Sequence, residues 1–244
     1  MVDQFRTDHS RLTAADSGRR DPRTVPLGVF HTTENSDSTS PIAVAEWQQD
    51  TRNESSYNVL FGTDGTTVRG NDDNYSPWAA GPTGNRYGFH GSAIGRAARS
   101  RADWLKHPRQ LEAMAQWAAD LNRRYGIPLR WLTADQVRAK KWGFCGHAQV
   151  SDAWREVNHR DPGAGFPHDV VLARAKEINN PTPIQEKGKD MAERSKDDLT
   201  LDQLAGYPWE KWPGWRQLAG LSLVDAVATI GAHLGIEGFE DKRK

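Results

Sequence analysis

Apolar and polar positions change period several times along the chain, and each change marks an element. The run Thr24-Val25-Pro26-Leu27-Gly28-Val29-Phe30 is short and nearly continuous, the pattern of a central strand, with Pro26 near its start where a strand tolerates one. The polar cluster Glu34 to Pro41 reads as a loop. Ile42-Ala43-Val44-Ala45-Glu46-Trp47-Gln48-Gln49 places its apolar residues near helical spacing. Tyr57-Asn58-Val59-Leu60-Phe61, the turn Gly62-Thr63-Asp64-Gly65, and Thr66-Thr67-Val68-Arg69 together predict a hairpin. Residues 70–92 are rich in Gly, Asn, Pro and aromatics and predict a long irregular loop, in which Trp78, Tyr87 and His90 favour binding.

From Arg101 the period becomes helical. Leu105, Leu111, Met114, Ala115, Trp117, Ala118 and Leu121 recur at three and four, which predicts one amphipathic helix stopped by Gly126. Ile127 to Trp131 reads as a short strand, and Thr133 as the cap of a following helix. His168 to Ile178 can form another helix. Strands alternating with helices predict an α/β fold, a mixed central sheet flanked by helices on both faces.

Outside residues 24–178 the pattern weakens. Residues 1–23 form a polar arm without an apolar run, neither a signal peptide nor a membrane anchor. Residues 179–198 carry dense alternating charge and read as a linker, either a flexible tether or an exposed charged helix. Residues 199–244 regain apolar content around Trp209, Trp212 and Trp215, with a plausible helix over Ser222 to Leu234. They predict a small C-terminal helical segment, either a binding module with stacked aromatics or a cap on the main domain.

Composition narrows the functional classes. The 32 basic residues balance 32 acidic ones, so no large field draws the chain to nucleic acid or to an anionic membrane. Cys145 is the single cysteine, which rules out a disulfide within the chain and fits synthesis in a reducing cytoplasm. No window has the length and apolarity for membrane insertion, and a monomer is expected. Ten tryptophans are many for a chain of low mean hydropathy, and suit core filling as well as platforms for a bulky substrate.

The candidate chemistry gathers in two neighbouring stretches. Gly143-Phe144-Cys145-Gly146-His147-Ala148-Gln149-Val150-Ser151 precedes His159-Arg160-Asp161-Pro162-Gly163 and Phe166-Pro167, so two imidazoles and a carboxylate lie within a short span broken by turn residues. With His31, at the end of the first strand, they supply an open three-ligand zinc site. His31 taken alone reads first as a core histidine, and His159 competes with Asp161 for the third ligand position.

This set of motifs resembles the type 2 amidases, zinc N-acetylmuramoyl-L-alanine amidases that share a fold with peptidoglycan recognition proteins, and within them the endolysins of phages infecting actinobacteria. The resemblance spans residues 24–178. It implies Zn2+ held by His31, His147 and Asp161, bacterial peptidoglycan as substrate, and synthesis in a host cytoplasm before release to the wall. Asp161 begins the Asp-Pro-Gly turn with which the family presents its last ligand. His159 stands where many relatives carry Lys, and residues two apart in an extended segment share a side. It would then stabilise the oxyanion or protonate the leaving amine. Tyr57 matches a family tyrosine near the zinc-bound water, which implies a phenol that orients that water or donates to the oxyanion. By itself it reads also as a strand aromatic packed in the core. The chain departs from the pattern at Asn58, where relatives usually have His, and around Ala93-Ile94-Gly95-Arg96, where many carry a glutamate. The competing readings are a cell-wall hydrolase with Cys145 as nucleophile and His147, His159 or His168 as base, and a recognition module that binds muropeptide without cleaving it.

Overall fold

Strand alternation decides how the sheet is covered. In the computed structural model, which describes residues 4–180, the elements run β1 (His9–Ser10), β2 (Asp16–Arg19), β3 (Leu27–Thr32), α1 (Pro41–Trp47), β4 (Val59–Phe61), β5 (Thr67–Arg69), β6 (Tyr75–Pro77), α2 (Gly81–Tyr87), β7 (Gly88–Ala93), α3 (Arg101–Leu105), α4 (Pro108–Tyr125), α5 (Ala134–Arg138), β8 (Gly143–Gly146), α6 (His147–Trp154) and α7 (His168–Asn179). Six strands form one mixed sheet in the order β1-β5-β4-β7-β3-β8, and β2 pairs with β6 in a second, two-stranded sheet. β3 is the hub, parallel to both β7 and β8, while β4 and β5 form the antiparallel hairpin.

One face of the sheet carries Phe30, Phe61, Phe89 and Phe144, packed under α4 and α7 together with Trp104 and Trp117. Phe30 is central, its ring centroid 5.4 Å from Trp117, 5.8 Å from Phe144 and 5.3 Å from Phe166. Each such side chain contributes on the order of 1.5–3 kcal/mol when withdrawn from water, well above the roughly 0–1 kcal/mol of an exposed ion pair. The opposite face carries Leu27, Val29 and Cys145 under α5 and α6, and Leu60 and Val68 under α1. Both faces are therefore covered, and β3 is buried along its whole length.

Three local expectations are corrected. The helix expected from Arg101 to Tyr125 is two helices. Pro108 has no N–H to donate, and it pushes His107 out of the helical region to φ −112°, ψ 60°, so α3 ends before it and α4 starts on it. Residues 70–92 are not one irregular loop. They contain β6, α2 and most of β7, a strand buried at every position. β7 escapes pattern reading because its neighbours fill the space its side chains leave: a Cβ at Gly91 would lie 2.8 Å from Phe61 and 2.9 Å from Trp117. Ile127 to Trp131 forms no strand, only a single bridge from Trp131 to Phe144.

Two local expectations hold. Gly126 stops α4 in the left-handed conformation at φ 71°, and Thr133 caps α5 in a reciprocal pair with Gln136. The polar stretch before residue 24 lies along the sheet, with β1 paired to β5 and Arg20 donating to the carbonyls of Asn85 and Gly88. Among the described residues no helix is long and apolar enough to cross a membrane. The linker expected over residues 179–198 starts inside α7, which runs to Asn179, and its part from residue 181 onward, like the C-terminal segment expected over 199–244, lies outside the described residues.

Candidate metal centre

The site forms where the C-terminal ends of β3 and β8 meet, the edge of a parallel array at which ligand sites usually lie. Alternation along β3 puts His31 on the same face as Leu27 and Val29. Phe30 pairs in register with Gly146, so the chain leaves β8 beside His31 and His147 opens α6. The two imidazole centroids are 4.7 Å apart. Asp161 arrives from the turn after α6, and that turn is fastened in two places. Its carbonyl accepts the Ala148 N–H at 3.1 Å, which ties it to the first turn of α6. Gly163 follows at φ 87° against the backbone of Ala97, where any side chain would collide, and Phe166 plugs into the aromatic core.

His31, His147 and Asp161 converge. Nδ1 of His31 lies 3.1 Å from Oδ2 of Asp161, and Nδ1 of His147 lies 3.1 Å from Oδ1. One donor atom from each falls within 4.8 Å of the others, and all three residues are buried. Burial pulls the His31 imidazole down to about 4, against the opposing pull of the Asp161 carboxylate. Asp161 is itself penalised by burial, yet the imidazoles of His147 and His31 set against its two oxygens hold its carboxyl far below the usual range. Nε2 of His147 is buried with no hydrogen-bond partner among the described residues. Two nitrogens and a carboxylate, buried with no lysine or arginine against them among the described residues, make a donor set suited to a divalent cation such as zinc.

A cleft of about 470 Å³ opens over this group, walled by Glu34, Tyr57, Trp78 and His159. His159 is exposed, stacked on His147 at 4.6 Å with the rings 13° apart, and sits outside the converging group. Its backbone N–H donates to Ser151 Oγ at 3.1 Å. Tyr57 precedes β4, its ring 5.2 Å from that of His31. Burial, and then the charge of Asp161, push its phenol up to about 12, so it stays protonated at neutral pH. Glu34, which sequence reading passed over, brings a carboxylate to the cleft wall and accepts the Ala97 N–H at 2.9 Å.

The remaining sequence candidates separate. Cys145 is fully buried between β3 and α6, and burial pushes its thiol up, away from the reactive thiolate. His168 stacks on Trp131 at 4.3 Å, outside the cleft. Of the three residues expected in a binding loop, Trp78 lines the cleft. Tyr87 instead accepts a hydrogen bond from Lys140 Nζ at 2.9 Å. His90 is fully buried in β7, with Nδ1 2.9 Å from Nε2 of His31. Pairing of β3 with β7 brings these two rings together, and no local signal announced it.

The sequence profile of the N-acetylmuramoyl-L-alanine amidase family matches residues 21–164, more than half of the chain. The chain belongs to that family. The amidase is similar in fold to the Staphylococcus aureus hydrolase AmiA, solved in complex with its ligand, at a TM-score of 0.55 and 15% identity over 72% of this chain and 87% of that one. It is also similar to the endolysin N-acetylmuramoyl-L-alanine amidase LysCS from Clostridium intestinale, with a TM-score of 0.48 and 16% identity over 70% of this chain and 97% of that one. Drosophila peptidoglycan recognition protein SD gives 0.45 and 14% over 66% and 91%. No curated protein matches the amidase closely enough to add to these.

Proposed function

We propose that the amidase is a zinc-dependent peptidoglycan hydrolase cleaving the amide between N-acetylmuramic acid and L-alanine, and that it serves a phage as an endolysin. The observation that carries the reading is the buried carboxylate of Asp161, met on separate oxygens by two imidazole nitrogens and, among the described residues, by no side-chain cation. His31, His147 and Asp161 are assigned as the ligands. Zinc bound there supplies Lewis-acid activation of water and polarises the scissile carbonyl.

The chain's own groups do the rest. Tyr57 holds its proton at neutral pH and donates it as a hydrogen bond toward the oxygen on which charge develops. His159, at the solvent-facing rim, exchanges protons with water and delivers one to the departing amine of L-alanine. The open cleft admits a glycan strand with its peptide branch.

In this reading residues 24–178 are the catalytic domain, 1–23 a polar arm and 179–198 a charged linker. Residues 199–244 are a separate cap or wall-binding module. The enzyme works as a monomer and stays in the host cytoplasm until release to the wall. Purified protein is expected to carry about one zinc per chain, and mass spectrometry of digested wall should find free peptides beginning with L-alanine. Full activity after zinc is stripped would sink the mechanism. Wall binding without released peptide would turn the reading into recognition alone.

A further inference from the structure

His90 takes no part in the cleft, yet it is a fully buried imidazole in van der Waals reach of a proposed ligand. Its Nε2 lies 3.1 Å from the Gly84 carbonyl oxygen and its Nδ1 lies 2.9 Å from Nε2 of His31. The position is built. The backbone N–H of His90 donates to Asn58 Oδ1 at 2.8 Å, and a Cβ at residue 88 would come within 2.7 Å of Nε2, so Gly88 leaves the room the ring occupies.

The direction of each hydrogen bond follows from one fixed end. A peptide carbonyl can only accept, so the proton on that bond belongs to His90 Nε2. Among the described residues no carboxylate touches the ring, and the neighbouring cation is Arg20, which donates to the Gly88 carbonyl at 2.6 Å. A second charge there would be buried and unpaired, so the ring is neutral and its Nδ1 is an acceptor. His31 must then donate from Nε2. Its Nδ1 is left with a lone pair aimed at Asp161 Oδ2 from 3.1 Å. Two lone pairs face each other at that distance only with a cation between them.

We infer that the Gly84 carbonyl and His90 form a hydrogen-bond relay that fixes the tautomer of His31 and so presents its Nδ1 to a divalent metal. His90 is a positioning residue, and this role rests on the zinc reading above. Without the relay, a neutral His31 is free to carry its proton on Nδ1, donate to Asp161, and mask its own ligand atom. Outer partners of this kind typically govern metal affinity by about 10- to 100-fold.

Nitrogen-15 NMR of histidine-labelled, zinc-loaded protein tests the relay on the unaltered chain. Protons are expected on Nε2 of both His31 and His90 and on neither Nδ1; a proton on Nδ1 of His90 overturns the proposal. In chelator competition, His90→Phe should bind zinc about 10- to 100-fold more weakly, with an unchanged far-ultraviolet circular dichroism spectrum. His90→Gln, whose amide can accept from His31 and donate to Gly84, should recover most of that loss. Wild-type affinity in His90→Phe overturns the relay while leaving the metal centre standing. Wild-type protein that takes up no zinc removes the metal centre and the relay with it.

Discussion

Two buried acidic clusters in this amidase look alike in composition and differ in what completes them. At the end of α4, Arg124 reaches Asp73 at 2.6 Å and Asp120 at 2.7 Å, and Tyr125 donates to Asp73 at 3.0 Å. Burial works against the guanidinium charge, but its bonds to Asp120 and Asp73 outweigh that and hold it above its ordinary range. At the ends of β3 and β8, Asp161 is buried just as well and has two imidazoles in place of a guanidinium. The first cluster carries its own cation and is a brace between α4 and the loop before β6. The second has no lysine or arginine against it among the described residues and offers a donor set that could hold a metal ion. A buried carboxylate is costly unless paired, so the kind of partner it has separates scaffold from site.

Removing groups from each cluster should break this comparison in opposite ways. Ala in place of His147 is expected to take wall hydrolysis to background and abolish zinc uptake, as read by metal analysis of the purified variant; full activity would contradict the ligand assignment. The His159→Ala variant should keep its zinc while kcat falls by about 10²–10⁴-fold, and an unchanged kcat would confine His159 to the cleft wall. In the brace, Asp73→Ala should cost about 3–5 kcal/mol of stability by denaturant unfolding, with zinc stoichiometry untouched. If that variant lost zinc instead, the two clusters would be one coupled unit.

Acid sharpens the contrast. In metal-free protein the buried His31 stays neutral down to about 4 against its ordinary 6.5, so between those values the unfolded chain binds a proton that the folded one does not. Stability should therefore fall as pH drops through that window, and Asp161, held lower still, adds its own loss in stronger acid. Thermal unfolding of chelator-treated protein across pH 7 to 4 measures it, and a flat profile would mean His31 is not buried as a neutral ring. The smallest effect belongs to Cys145→Ser, which should leave hydrolysis essentially intact because the thiol lies outside the cleft.

Legibility followed how local the cause was. The α4 stripe, the Gly126 stop and the Thr133 cap are set by residues within one or two turns, and they read directly. The break before Pro108 was also local, yet the apolar period ran across it and hid it. β7 could not be read at all: Gly88-Phe89-His90-Gly91-Ser92-Ala93 has neither alternation nor an apolar run. Its central place comes from Phe61 and Trp117, which fill the volume its glycine vacates. The converging residues were legible because turn chemistry and spacing mark His147 and Asp161, and the strand end marks His31.

By itself, then, the sequence determined the helices, the hairpin, the α/β class and which side chains could meet around a metal, since these depend on periodicity, caps and turns. The tertiary structure alone decided that His90 stands behind His31, that Glu34 and Trp78 wall the cleft, and that His159 lies outside the converging group. Those facts depend on strand order and register, which place residues distant along the chain within hydrogen-bond reach, and no short stretch of chain encodes them.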